Sequence, residues 1–244
     1  MRQKPPSGKP ARGHGSGTPN LIDHRGPVLS APHVYAIYWG SFSPSDLQAG
    51  LADFFGSFGG TSYSNILTQY LHFAPKPTSS YLELGTDATS SPPSHGPSVA
   101  TIANEACKFI GGGTPDSKGV YFVITSNFPK GANFCAWHSL GTCNGASIPV
   151  VYLPNLTGVS GCAIGGVGNG YSVGTQSMAN VAAHELSEVI TDPQLNAWYD
   201  SGGQEVGDKC AWQFQSAVRL SNGIAWQLQE EWSNAASGCV QMLP

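Results

Sequence analysis

"AAHELSEVITDP", residues 182–193, sets the frame for reading the chain. His184 followed by Glu185 matches the start of a His-Glu-x-x-His helix, but residue 188 is Glu where a second His is usual. That pattern works because side chains four apart on a helix reach one ion, while the intervening Glu takes a proton from water. On a helical wheel with His184 at zero, Glu188 falls at about 40°, Asp192 at about 80° and Glu185 at about 100°. Leu186, Ile190 and Ala183 lie towards the other side. One narrow stripe therefore carries an imidazole and three carboxylates. A solvated face is the alternative, but such faces usually mix Lys with Glu at i,i+4. No basic residue occurs between Lys130 and Lys209. Like charges four residues apart repel, so a divalent cation suits the stripe. A carboxylate ligates zinc at about 2.0–2.2 Å, so Glu188 can take the second His's place, tilting preference towards harder ions.

A third ligand has to come from elsewhere. Asp208, in "GGQEVGDKC", lies 20 residues beyond Glu188, with Glu205 as its near neighbour. His138 is the best histidine candidate, in "CAWHSLGTC", read as a loop between Cys135 and Cys143. Asp192 continues the stripe, although a turn at Asp192-Pro193 explains it as well. His24, His33, His72 and His95 have no motif around them and read as structural or surface residues. The expected cofactor is zinc, with calcium as an alternative or an addition; calcium needs about six to eight oxygen ligands.

Composition narrows the setting. The chain has 244 residues, 31 Gly and 18 Pro, and only 11% charged residues, a balance that suits a rigid, loop-rich secreted protein. Arg2, Lys4, Lys9, Arg12 and Arg25 hold five of the eleven basic residues; the chain beyond them has 6 basic against 14 acidic residues. Such an acidic globule is a poor partner for nucleic acid. The six cysteines, Cys107, Cys135, Cys143, Cys162, Cys210 and Cys239, contain no Cys-x-x-Cys and point to three disulfides in an oxidising compartment. Proximity suggests Cys135–Cys143 and Cys210–Cys239, leaving Cys107–Cys162. Asn155-Leu156-Thr157 is a glycosylation triplet. No apolar stretch is long enough for a membrane span. Residues 1–22 read as a disordered basic Gly/Pro-rich tail without a signal-peptide core, so export would rest on an upstream segment or a non-standard route.

Residues 23–244 read as one globular domain of mixed α/β type, with a mostly parallel sheet, packed helices and a disulfide-stapled C-terminal region. "HVYAIYWG" (33–40), "YLELG" (81–85), "GVYFVITS" (119–126) and "IPVVYLP" (148–154) are strand candidates. Residues 43–58, 61–72 and 96–113 are helix candidates, and Pro193 stops the helix of the opening stretch. "GCAIGGVGNGYSVG" (161–174) is a turn or rim loop. No Gly-x-Ser-x-Gly elbow or P-loop lysine is present, and oxidised cysteines leave no thiolate nucleophile.

Together "HRGPVLSAPHVYAIYWGSF", "GVYFVITS" followed by "FCAWHS", and "AAHELSEVITDPQLNAWYDSGGQEVGDKC" resemble the phosphate-induced protein 1 / EXORDIUM-like family over roughly residues 24–212. That resemblance implies a secreted, disulfide-containing extracellular or cell-wall protein. The order of strand, helix, strands and His-Glu-bearing helix also resembles zincin-type metallopeptidases. This implies His184 and Glu188 as ligands and Glu185 as the base. The leading expectation is thus a secreted, monomeric, zinc-dependent peptide hydrolase. Asp208 or His138 would complete its site, and residues 148–154 would form an edge strand that aligns a polypeptide substrate. The other expectation is a non-catalytic wall-binding or signalling module, with Trp198, Trp212, Trp226 and Trp232 as stacking faces or as core.

Overall fold

The computed structural model describes residues 19–42, 46–71 and 77–243. In chain order the elements are β1 (Ile22–Asp23), β2 (His33–Trp39), α1 (Asp46–Phe58), β3 (Ser80–Asp87), α2 (Val99–Ile110), β4 (Gly119–Thr125), β5 (Trp137–Cys143) and β6 (Ala146–Pro154). There follow α3 (Val173–Thr191), β7 (Trp198–Tyr199), β8 (Val218–Arg219), β9 (Ala225–Trp226), β10 (Glu231–Ser233) and β11 (Gly238–Val240). The short helix expected over 61–72 is a 3-10 helix, Ser64–Tyr70, and residue 72 lies outside the described residues. Of the N-terminal tail expected over 1–22, residues 1–18 lie outside the described residues, whereas Leu21 is buried and Ile22 pairs with Tyr199. The Ser-Pro start expected at 43–45 likewise lies outside them.

β2, β4 and β6 form the centre of a five-stranded sheet of order β3-β2-β4-β6-β5. β3 and β4 pair with β2 in parallel, and β6 pairs with β4 in parallel. β4 is buried along its whole length, as a parallel strand covered on both faces should be. Alternation sends Val120, Phe122 and Ile124 towards α1 and α3, and Tyr121 and Val123 towards α2. α2 is capped by Ser98, whose side chain accepts from the Thr101 N–H.

Three sequence expectations need correction. Residues 137–143 are not a loop but an edge strand, antiparallel to β6. The two-residue turn Asn144-Gly145, with φ of 49° and 79°, closes the hairpin, and both residues adopt the left-handed conformation that such a turn requires. Residues 148–154 therefore lie in β6, between β4 and β5, and cannot align a substrate as a free edge. The disulfides are Cys107–Cys143, Cys135–Cys162 and Cys210–Cys239. Only the last matches expectation. Cys135 precedes β5 and Cys143 ends it, and a seven-residue strand holds them roughly 20–25 Å apart at about 3.3 Å per residue. A disulfide needs its Cα atoms within about 7 Å.

α3 begins at the Ser172 cap, twelve residues before His184, and is buried from Gly174 to Thr191. The polar stripe is thus covered rather than solvated. Residues 194–243 lie over it as a set of short strand pairs and turns, stapled by Cys210–Cys239. Trp226 and Trp232 are buried, so they cannot serve as exposed stacking faces; Trp198 and Trp212 are half-buried. The Phe122 ring is fully buried, with its centroid 4.6 Å from that of Phe55 on α1. Phe122→Ala is therefore expected to cost about 3–5 kcal/mol of stability, read as a lowered urea midpoint. A loss under about 1 kcal/mol would contradict this packing.

Candidate metal centre

Three segments converge at the C-terminal half of α3. The helix itself supplies His184, Glu185 and Glu188, all buried. β5 supplies His138: alternation turns its side chain to the α3 face of the sheet, opposite Val151 of β6. The loop after β7 supplies Glu205 and Asp208.

That loop is firmly held. Asp200 accepts from the N–H groups of Gly202 and Gln204, and from the Lys209 ammonium at 3.0 Å. The same ammonium lies 4.2 Å from the centre of the Trp232 ring and donates to the Pro19 carbonyl. The Trp232 N–H donates to the Val206 carbonyl, and Cys210 is bonded to Cys239. Gly207 permits the close approach: a Cβ there would stand 2.8 Å from Nδ1 of His184. At the helix end, Asp192 accepts from the N–H groups of Asn196 and Ala197, so it caps the turn and is not gathered with the other stripe residues.

His184 Nε2 lies 3.2 Å from Glu188 Oε1 and 3.7 Å from Asp208 Oδ1. His138 Nε2 lies 3.2 Å from Glu188 Oε2 and 3.4 Å from Glu205 Oε2. Ligand atoms within 4.8 Å of one another form two groups, His184–Glu188–Asp208 and His138–Glu185–Glu188. The first is the set anticipated from the helix and the acid 20 residues downstream. Asp208 and His138 were alternatives for one position; they stand instead on opposite oxygens of Glu188. Glu185 is grouped with His138 and Glu188 rather than with His184 and Asp208.

The residues fit a cation. Ligands about 2.1 Å from a tetrahedral ion sit about 3.4 Å from one another, close to the separations found here. The Nε2 of His184 is buried and faces the carboxylate oxygens of Glu188 and Asp208, the space a shared cation would occupy. On its other side, Nδ1 is 3.0 Å from the Gln229 amide, which also donates to the Gly207 carbonyl. Gln229 thus orients the imidazole. A further group, with no motif around it, is Glu231 of β10. It is fully buried and accepts from the Tyr63 hydroxyl at 2.8 Å. Alternation between buried and exposed positions is too short in β10 to have revealed it.

Charge governs the protonation of the centre. Burial opposes a charged imidazole at His184, but Glu188, Glu185 and Asp208 outweigh it and hold the pKa well above the ordinary histidine value. Burial lifts the Glu231 carboxyl to about 8, with His184 and the Tyr63 hydroxyl acting against the rise. Burial also lifts Asp192 to about 6, and the neighbouring Glu205 adds to it.

No protein-family model and no solved structure matches the chain. Among curated proteins it is similar to Protein EXORDIUM-like 5 of Arabidopsis thaliana, at 22% identity over 80% of this chain. The chain spans 65% of that relative's length. Among the described residues, no helix is long and apolar enough to cross a membrane.

Each of these pKa values is higher in the folded chain than in the unfolded one, so each group stabilises the fold in its protonated form. That contribution is complete below the unfolded value and is lost progressively as pH rises from there through the folded value. For chelator-treated protein the melting temperature is therefore expected to fall as pH rises through about 6 and then about 8, the folded values of Asp192 and Glu231. A melting temperature that climbs over that range would contradict the assignment.

Proposed function

We propose that the chain is an extracellular metal-dependent hydrolase of peptide bonds, with zinc held by His184, Glu188 and Asp208. The observation that carries this reading is the convergence of His184 Nε2, Glu188 Oε1 and Asp208 Oδ1 at one point. One helix and one loop pinned by a disulfide deliver them, which fixes a ligand set before any ion arrives. The three disulfides fit an oxidising compartment, and the likeness to an EXORDIUM-like protein agrees with an extracellular location.

Zinc held by His184, Glu188 and Asp208 would polarise a substrate carbonyl and make water more acidic. Glu185 follows His184 on the helix and lies with His138 and Glu188, so it is the carboxylate that would take the proton of an attacking water beside Glu188. It then returns that proton to the leaving amine. Gln229 holds the His184 ring, and the Asp208 N–H, donating to Glu188 Oε1 at 3.0 Å, holds the carboxylate. The Asp208 side chain, 16% exposed, marks the route by which substrate approaches.

Burial favours a second reading. Glu185 is only 1% exposed and His184 6%, leaving little room for a polypeptide. A metal-stabilised, non-catalytic extracellular module of the EXORDIUM type accommodates that closure. The two part on Glu185→Gln. For a hydrolase, the variant keeps its metal and loses chelator-sensitive cleavage of a peptide library by about 10²–10⁴-fold. Undiminished cleavage by the variant would overturn the role of Glu185, and a metal-loaded wild type that cleaves nothing would favour the module.

A further inference from the structure

We infer that the centre holds two cations, bridged by Glu188. The inference rests on the first cation of the reading above and adds a second one, bound by His138, Glu188 and Glu205. The two halves are built alike. Each has one imidazole Nε2, one oxygen of Glu188 and one acid from the same short loop. In the first half these are His184, Oε1 and Asp208, at 3.2 and 3.7 Å from the ring nitrogen. In the second they are His138, Oε2 and Glu205, at 3.2 and 3.4 Å. The same loop supplies both acids: the Glu205 N–H donates to Asp208 Oδ2 at 3.3 Å, while the Glu205 side chain reaches His138 and that of Asp208 reaches His184.

A plain ion pair explains the second half less well. A ring nitrogen carries one proton at most, yet His138 Nε2 faces two carboxylate oxygens at similar distances. His138 Nε2 lies 3.2 and 3.4 Å from the two oxygens, separations that ligands of a shared cation would have. Charge leads to the same number. Glu185, Glu188, Glu205 and Asp208 bring four negative charges, and the nearest lysine in the loop, Lys209, holds its ammonium on Asp200 instead. One divalent ion leaves half of that charge in a closed, low-dielectric pocket; two divalent ions neutralise it. Glu185 remains beside the second half as a proton acceptor, within 4.8 Å of His138 and Glu188. Carboxylate-bridged pairs of ions about 3.5–4 Å apart serve hydrolysis by clamping both the attacking and the leaving atoms. A donor set of two imidazoles and several carboxylates suits zinc or manganese better than an all-oxygen ion.

The test is metal counting on the full chain. Protein stripped with chelator, reloaded with excess Zn²⁺ and desalted into a non-chelating buffer is analysed by plasma mass spectrometry against protein concentration. Two equivalents are expected for the wild type, falling to one in His138→Gln and in Glu205→Gln, each checked for a native circular dichroism spectrum. One equivalent in the wild type overturns the bridged pair and leaves the single-ion reading standing; none overturns both. Two equivalents that survive in both variants would place the second ion elsewhere and overturn the inference as well.

Discussion

Glu185, Glu188 and Glu205 are at most 3% exposed, and they share their space with two imidazoles. Two carboxylates about 4 Å apart repel by about 4 kcal/mol even at an effective dielectric of about 20. Water would ordinarily screen such a group, and here the C-terminal strands and turns keep it out. The fold bears this cost at the middle of its most deeply buried helix. Protons supply part of the compensation: burial raises the pKa values of Asp192 and Glu231, and the surrounding carboxylates raise that of His184. On the proposed reading, divalent cations would supply it more completely, because each would neutralise two carboxylates and also satisfy the ring nitrogens.

The rest of the architecture serves that position. The sheet presents β5 at its edge, so His138 can reach α3 from the sheet side. The loop carrying Glu205 and Asp208 is fastened by Asp200, Lys209, the Trp232 ring and the Cys210–Cys239 bond. Gly207 lets that loop lie against the His184 ring. Two of the three disulfides anchor the ends of β5, since Cys135 bonds to Cys162 just before the strand and Cys143 bonds to Cys107 at its close. A strand at a sheet edge would otherwise be the loosest of the three parts that meet at the centre.

Much of this was legible from the residues. The apolar runs that became β2, β4 and β6 are buried on both faces, and such strands read as nearly continuous hydrophobic stretches. The proximity of His184, Glu188 and Asp208 was legible because a helix and a fixed downstream spacing carry them. β5 was missed because two flanking cysteines suggested a closed loop, although Asn144-Gly145 is a strong hairpin signal. The disulfide pairing followed the same error, since sequence proximity says nothing once the intervening chain is extended. Glu231 and Gln229 were invisible for a different reason. They come from a region of two- and three-residue strands whose arrangement depends on long-range packing against α3, not on local pattern.

The most direct measurement is an anomalous difference map from crystals of the metal-loaded protein, collected on either side of the zinc absorption edge. Zinc density is expected between His184 Nε2, Glu188 Oε1 and Asp208 Oδ1. Well-ordered side chains in their present positions, with no anomalous density among them, would contradict a metal centre at the heart of this fold.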